Sequence, residues 1–219
     1  MPLASDESSA SPAALTSDRL KQSERRARTR EALMVATAQN ITKYGYAELK
    51  LESIASDAGY TRGALYHLFA SKEDLVLAVV EWVSEAWADE AGHLLYDETD
   101  PVGALGAVAK AYATFSRHEV PRVLTRLGSE FTGTDHPVER VINGVKGEFC
   151  EFVVRLVTAG RTSGAIPPGP PGEVMAIAYM GAIDGVVRHL GGHAPFDALF
   201  AERAASGVLG LPSASGTKH

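Results

Sequence analysis

The chain has 219 residues and a single cysteine, Cys150, so no internal disulfide framework can hold it together. That thiol has no histidine near it in sequence, which fits a buried side chain better than a nucleophile with its base. No run of about 18 apolar residues occurs, which excludes a membrane-spanning helix. Residues 1–18 lack the basic start and apolar centre of a secretory signal, so a reducing, cytoplasmic setting is expected. The period-two alternation of strands is nearly missing. So are a Gly-rich phosphate loop and a Gly-x-Ser-x-Gly elbow. His93, His118, His136, His189 and His193 are scattered. The last two are four apart, but Gly191-Gly192 interrupts the helical face on which a metal pair would sit. No catalytic residue, metal site or cofactor is expected.

Apolar residues make up 45% of the chain, enough for a sizeable buried core, and the formal charge is −6. The charge is unevenly spread. Residues 19–72 carry ten Lys and Arg against five Asp and Glu, whereas residues 73–219 carry eleven against nineteen. A positive end joined to a negative remainder suits a nucleic-acid module attached to a domain that avoids DNA.

Helical periodicity runs through most of the sequence, and the pattern predicts an all-α protein of about nine helices. Residues 1–22, rich in Ser, Ala and Pro, are expected to be a disordered extension, and 213–219 a disordered tail. A first helix is expected from about Glu24 to Tyr44, with Leu33, Thr37, Ile41 and Tyr44 inward and Gly45 ending it in the left-handed conformation. A second follows over about Leu51–Ala58. Gly59 turns the chain, and Thr61 can cap a third over about Arg62–Phe69. Ser71 with Asp74 three residues on forms a capping box for the fourth. Five further helices are expected, over about 101–117, 121–131, 137–161, 172–190 and 195–209. The Pro-Pro-Gly-Pro-Pro-Gly run over 167–172 forms a firm break between two of them.

Two short amphipathic helices around a Gly turn, the second opening on Thr61-Arg62, have the pattern of a helix-turn-helix, which lays its second helix in the major groove. Arg62 at that helix's start can grip guanine O6 and N7. Gly63 and Ala64 permit close approach, and Tyr66 reaches a phosphate from one turn along. Lys72 opens the fourth helix, where its ammonium and the free N–H groups both favour a phosphate. Thr61, Lys50 and His67 are further candidates for DNA contact. The basic run Arg25, Arg26, Arg28 and Arg30 can follow the backbone or enter a minor groove.

The segment Ile54-Ala55, Ala58-Gly59, Thr61-Arg62-Gly63-Ala64-Leu65-Tyr66, Phe69 and Ser71-Lys72-Glu73-Asp74-Leu75 resembles the amino-terminal domain of the TetR/AcrR transcriptional regulators, closely over about residues 24–80. The resemblance implies that Arg62, Gly63, Ala64, Tyr66 and Lys72 contact DNA. It also implies a helix-turn-helix DNA-binding domain over residues 23–75 and a helical ligand-binding and dimerisation domain over 76–212. The chain departs from the family at Leu68, which stands where the family often has a phosphate-binding His, and at Lys50-Leu51, which replace a hydroxyl residue.

In the second domain, Ala178, Gly181, Ala182 and Gly185 mix with Met180, Ile183 and Val187, and Leu199, Phe200, Ala204, Gly207 and Val208 form a second stripe. Small residues let helices approach closely, so the last two helices are expected to pair two subunits as a four-helix bundle. Candidate ligand-lining residues are Trp87, Tyr112, Phe115, Leu127, Phe131, Phe149, Phe152, Met175 and Tyr179. Arg126 and Glu130 are expected to orient a polar ligand group, and Asp184 to pair with Arg188. The expected function is a homodimeric repressor released from a palindromic double-stranded DNA operator by a small-molecule inducer, with no membrane partner. The rival reading is a helical carrier or enzyme whose DNA-binding head is vestigial.

Overall fold

The computed structural model describes residues 12–211 apart from 97, 98 and 119. These residues form nine α-helices and a short 3-10 turn, with no strand among them. In order they are α1 (Pro12–Tyr44), α2 (Leu51–Asp57), α3 (Arg62–Leu68), α4 (Lys72–Ala91), the 3-10 turn (Gly92–Tyr96) and α5 (Pro101–Phe115). Then come α6 (Arg122–Phe131), α7 (Pro137–Ser163), α8 (Gly172–Leu190) and α9 (Phe196–Val208). The expected disorder over residues 1–11 and 213–219 lies outside the described residues. Over 12–22 the expectation is corrected. The chain is helical there, and α1 begins twelve residues before Glu24. Ala, Leu, Lys, Gln and Arg in this stretch are good helix formers, and their intrinsic preference outweighs its low apolar content.

Local signals account for most helix ends. Gly45 takes φ +86 and closes α1. Pro101 and Pro137 stand at the first turns of α5 and α7, where a missing N–H costs nothing. Leu33, Thr37 and Ile41 face inward without exposure, but Tyr44 is 53% exposed and stacks under the Lys43 ammonium instead. The last turn of α1 carries Tyr44 past the edge of the neighbouring helices.

Side chains gather into two cores. The first joins α1–α4 with Phe115, Val123, Leu127, Phe131, Val138 and Ile142 from α5, α6 and the start of α7. The second joins α5, α7, α8 and α9, and Trp87 of α4 packs against both. The packing therefore crosses the expected division between residues 75 and 76. Three helices of seven to thirty-three residues bury too little apolar area to stand alone. They borrow Leu75, Val76, Val79, Val80 and Val83 from α4 and the inner face of α6. The second core is tied by a buried ion pair. Asp197, with no exposure, accepts from Arg117 Nε and Nη2 at 3.0 and 2.8 Å and from the Gly192 and Ala198 amides. This joins the end of α5 to the start of α9.

Candidate DNA interface and helical cavity

The reading head is built from short-range rules. Gly59 at φ +75 turns the chain after α2. The Tyr60 N–H donates to Ala55 O at 2.8 Å and the Gly59 N–H to Ser56 O at 3.0 Å. These two bonds form a Schellman closure, which needs a residue free of a Cβ penalty. Thr61 is extended and its hydroxyl accepts from the Ala64 N–H, capping α3. Leu65 and Phe69 are buried in the core that α3 shares with α1, α2 and α4, so the opposite face must point outward.

That outward face carries the expected residues. Thr61, Arg62, Gly63, Tyr66 and His67 are exposed, Ala64 is half-exposed, and Lys50 is exposed at the start of α2. Arg62 bridges Glu52 at 2.9 Å, donates to the Tyr66 hydroxyl at 3.4 Å and lies 5.3 Å from the Tyr66 ring centroid. The Arg62 guanidinium thus rests on an acid and a phenol, both exposed. Arg25, Arg26 and Arg28 are exposed. Arg30 is set apart from that run because its guanidinium packs over Phe69 at 4.8 Å.

Lys72 has a second role. Its ammonium sits 4.2 Å from the Tyr46 ring and donates to Ala47 O at 3.4 Å, and burial holds its pKa below the ordinary lysine value. The turn that it touches is also held from the body. Glu130 on α6 accepts from the Tyr46 and Ala47 N–H groups at 2.9 and 3.0 Å. Phe131 meets the Tyr46 ring edge-on, and His136 stacks on Phe131 with its Nε2 3.4 Å from Glu73. The expectation that Arg126 and Glu130 orient a ligand is therefore corrected. Glu130 faces the head, and a Cβ on Gly45 would come within 2.8 Å of the Arg126 guanidinium.

Behind α6 lies a cavity of about 370 Å³, within the range of small-molecule sites. Trp87, Tyr112, Phe115, Phe149 and Phe152 line it, with Thr125 and Ser129 from α6 and Thr132 just after its end. Leu127 and Phe131 instead pack in the first core, and Met175 and Tyr179 in the second. The Tyr179 hydroxyl donates to Leu105 O at 2.6 Å, which fixes that ring as structure. Asp184 does not take the expected Arg188. It accepts the Tyr112 hydroxyl, and burial and then the neighbouring carboxylate hold that phenol well above its ordinary pKa.

Residues 33–79, the stretch that forms the head and its junction with α4, match the family described as bacterial regulatory proteins, tetR family. Over these residues the chain is similar to the TetR family of transcriptional regulators. The chain is 25% identical over 179 residues to the HTH-type transcriptional repressor BepR of Brucella suis biovar 1, covering 78% of this chain and 85% of that one. It is 26% identical over 147 residues to the HTH-type transcriptional regulator EthR of Mycolicibacterium smegmatis, covering 65% of each. The fold is similar to that of the MbdR regulator from Azoarcus sp. CIB, with a TM-score of 0.71, 19% identity, and 84% and 99% of the two chains covered. It is also similar to AibR in complex with isovaleryl coenzyme A and operator DNA, with a TM-score of 0.68, 19% identity, and 83% and 96% covered.

Sequence reasoning missed the polar side of the cavity and the head–body junction. Thr125, Ser129 and Thr132 are spaced at three and four residues along α6 and its C-cap. A helix with hydroxyls repeating on one face was the signal available for the cavity wall. Nothing local marks Glu130 as a partner of residues 46 and 47.

Proposed function

We propose that this protein is a homodimeric repressor that reads a palindromic operator and leaves it when a small molecule fills the cavity. The observation that carries the reading is the outward face of α3. Arg62, Gly63, Ala64 and Tyr66 are presented together by a capped, core-anchored helix while the rest of the chain is acidic. Arg62 would leave Glu52 for a guanine edge, Tyr66 and Thr61 would take phosphates, and Lys50, His67 and Lys72 would extend the backbone contacts. The BepR name, a repressor, and the AibR complex with operator DNA support both halves of this assignment.

Dimerisation is supported by an unpartnered face. On α8, Val174 and Ile177 are exposed, with Ala178 and Gly181 on the same stripe. On α9, Phe196, Leu199 and Phe200 are exposed beside Arg203 and Gly207. Large apolar side chains alternating with small ones fit a close four-helix seam. Two copies joined there would set two α3 helices on one side, as half-sites one duplex turn apart require. Release runs through α6 as well as α4 in this reading. The cavity touches Trp87 and Ala88 of α4 and four α6 residues from Leu124 to Ser129, and α6 holds the α1–α2 turn through Glu130. A ligand that prefers one position of α6 shifts the heads by its differential affinity for the two states.

Selection of genomic fragments by the purified protein tests the reading. Enriched fragments should share an inverted repeat. Arg62→Ala should lose about 1–3 kcal/mol of discrimination at one base pair per half-site. Binding without sequence preference, or a strictly single-subunit protein, would refute it.

A further inference from the structure

We propose that the cavity takes an organic cation, a protonated amine carried on an aromatic or otherwise apolar body. The proposal rests on the ligand-responsive reading and adds the ligand's chemistry.

The α6 wall offers lone pairs rather than protons. The Ser129 hydroxyl donates to Thr125 O at 3.0 Å and the Thr132 hydroxyl to Gly128 O at 2.5 Å. Both oxygens keep acceptor capacity, and their protons are committed to the helix. Thr125 is engaged with the Tyr112 phenol, whose own proton goes to Asp184. What remains at the centre is the Asp184 carboxylate. It is half-buried and holds one neutral donor, and among the described residues no Lys, Arg or His nitrogen lies within 4.0 Å of it. Arg188 acts on the adjoining Tyr112 phenol, but from beyond ion-pair range of the carboxylate. A partly desolvated carboxylate with no cation in contact is costly, and a ligand ammonium would offset that cost while meeting the free acceptors.

The surrounding rings favour the same charge. Trp87 lies 5.9 Å from Tyr112 and 5.4 Å from Phe115, centroid to centroid, so three aromatic rings gather on this side of the cavity. Such a cluster attracts a cation and accommodates an apolar body. Two cations, Lys146 and Arg188, also line the cavity, and an anionic ligand would have to rely on them. Both are exposed, and Glu148, exposed on the same rim, opposes them. Hydrated rim charges are screened and contribute little. The half-buried carboxylate is the charge that discriminates.

The test uses the full chain and three shape-matched probes, namely 4-phenylbutylammonium, 4-phenylbutanol and 4-phenylbutyrate, with affinity measured by calorimetry. The ammonium should bind at least about tenfold more tightly than the alcohol, with the carboxylate weakest. Asp184→Asn should abolish that preference and leave alcohol binding unchanged. Trp87→Leu, which keeps an apolar wall, should reduce it several-fold, and circular dichroism of each variant checks that the helices persist. The carboxylate binding most tightly, a ranking unchanged in Asp184→Asn, or no binding by any of the three overturns the cationic assignment. Operator release by the alcohol or carboxylate at a lower concentration than by the ammonium would overturn it too and leave the repressor reading standing. Failure of every cavity-bound compound to alter DNA affinity would instead remove the repressor reading.

Discussion

Replacing Glu130 with Ala should loosen the reading head without touching it. Glu130 accepts two backbone N–H groups, Tyr46 at 2.9 Å and Ala47 at 3.0 Å, and its side chain is only 25% exposed. Hydrogen bonds to a charged group contribute about 1.5–3 kcal/mol each. Water can reach the exposed Ala47 amide once the carboxylate is gone, so that bond is largely replaced. The Tyr46 amide is part-buried and recovers less. The net cost should be about 2–3 kcal/mol. For a chain of this size each kcal/mol lowers Tm by about 2–4 °C, so a fall of about 4–12 °C is expected in a calorimetric scan. Glu130→Gln retains one acceptor and should fall between the two. If α6 transmits cavity occupancy to the head, Glu130→Ala should also bind an inducer normally yet release the operator less completely. A Tm within 1 °C of the parent, together with unchanged ligand-driven release, would refute both the energetic and the mechanical reasoning.

Glu52→Gln should tighten operator binding a few-fold and cost under about 1 kcal/mol of stability, because the Glu52–Arg62 pair is more than half exposed on both sides. Gel-shift titration and urea unfolding read the two effects. Gly59→Ala should cost about 1–2 kcal/mol in urea unfolding, since the turn needs φ +75, with nothing nearby for the new methyl to strike. Asp197→Asn should destabilise the fold by about 3–5 kcal/mol near neutral pH by leaving Arg117 half-paired beside a buried amide. The Arg117 guanidinium holds the Asp197 carboxyl down at about 2, below the roughly 3.9 of an unfolded aspartate. Its contribution is therefore complete above about pH 4 and fades as the pH falls towards 2. The gap between parent and variant in urea unfolding should narrow by about 2–3 kcal/mol over that window.

The sequence alone determined the helix class, the order of the elements and the reading head. Every signal for these lies within a few residues. Gly59 and Thr61 close and cap, Leu65 alternates with Arg62 and Tyr66 around one short helix, and Pro and Gly punctuate the rest. The tertiary structure decided what faces what. Tyr112 meets Asp184 across 72 positions, Tyr179 meets Leu105 across 74, and Glu130 meets Tyr46 across 84. A pattern of apolar and polar residues states that a side chain is inward but not which neighbour it finds, so Leu127 and Trp87 look alike in sequence although only one borders the cavity. Backbone periodicity is a local property of the chain, whereas the partner of a buried polar group is settled only when distant helices are packed together.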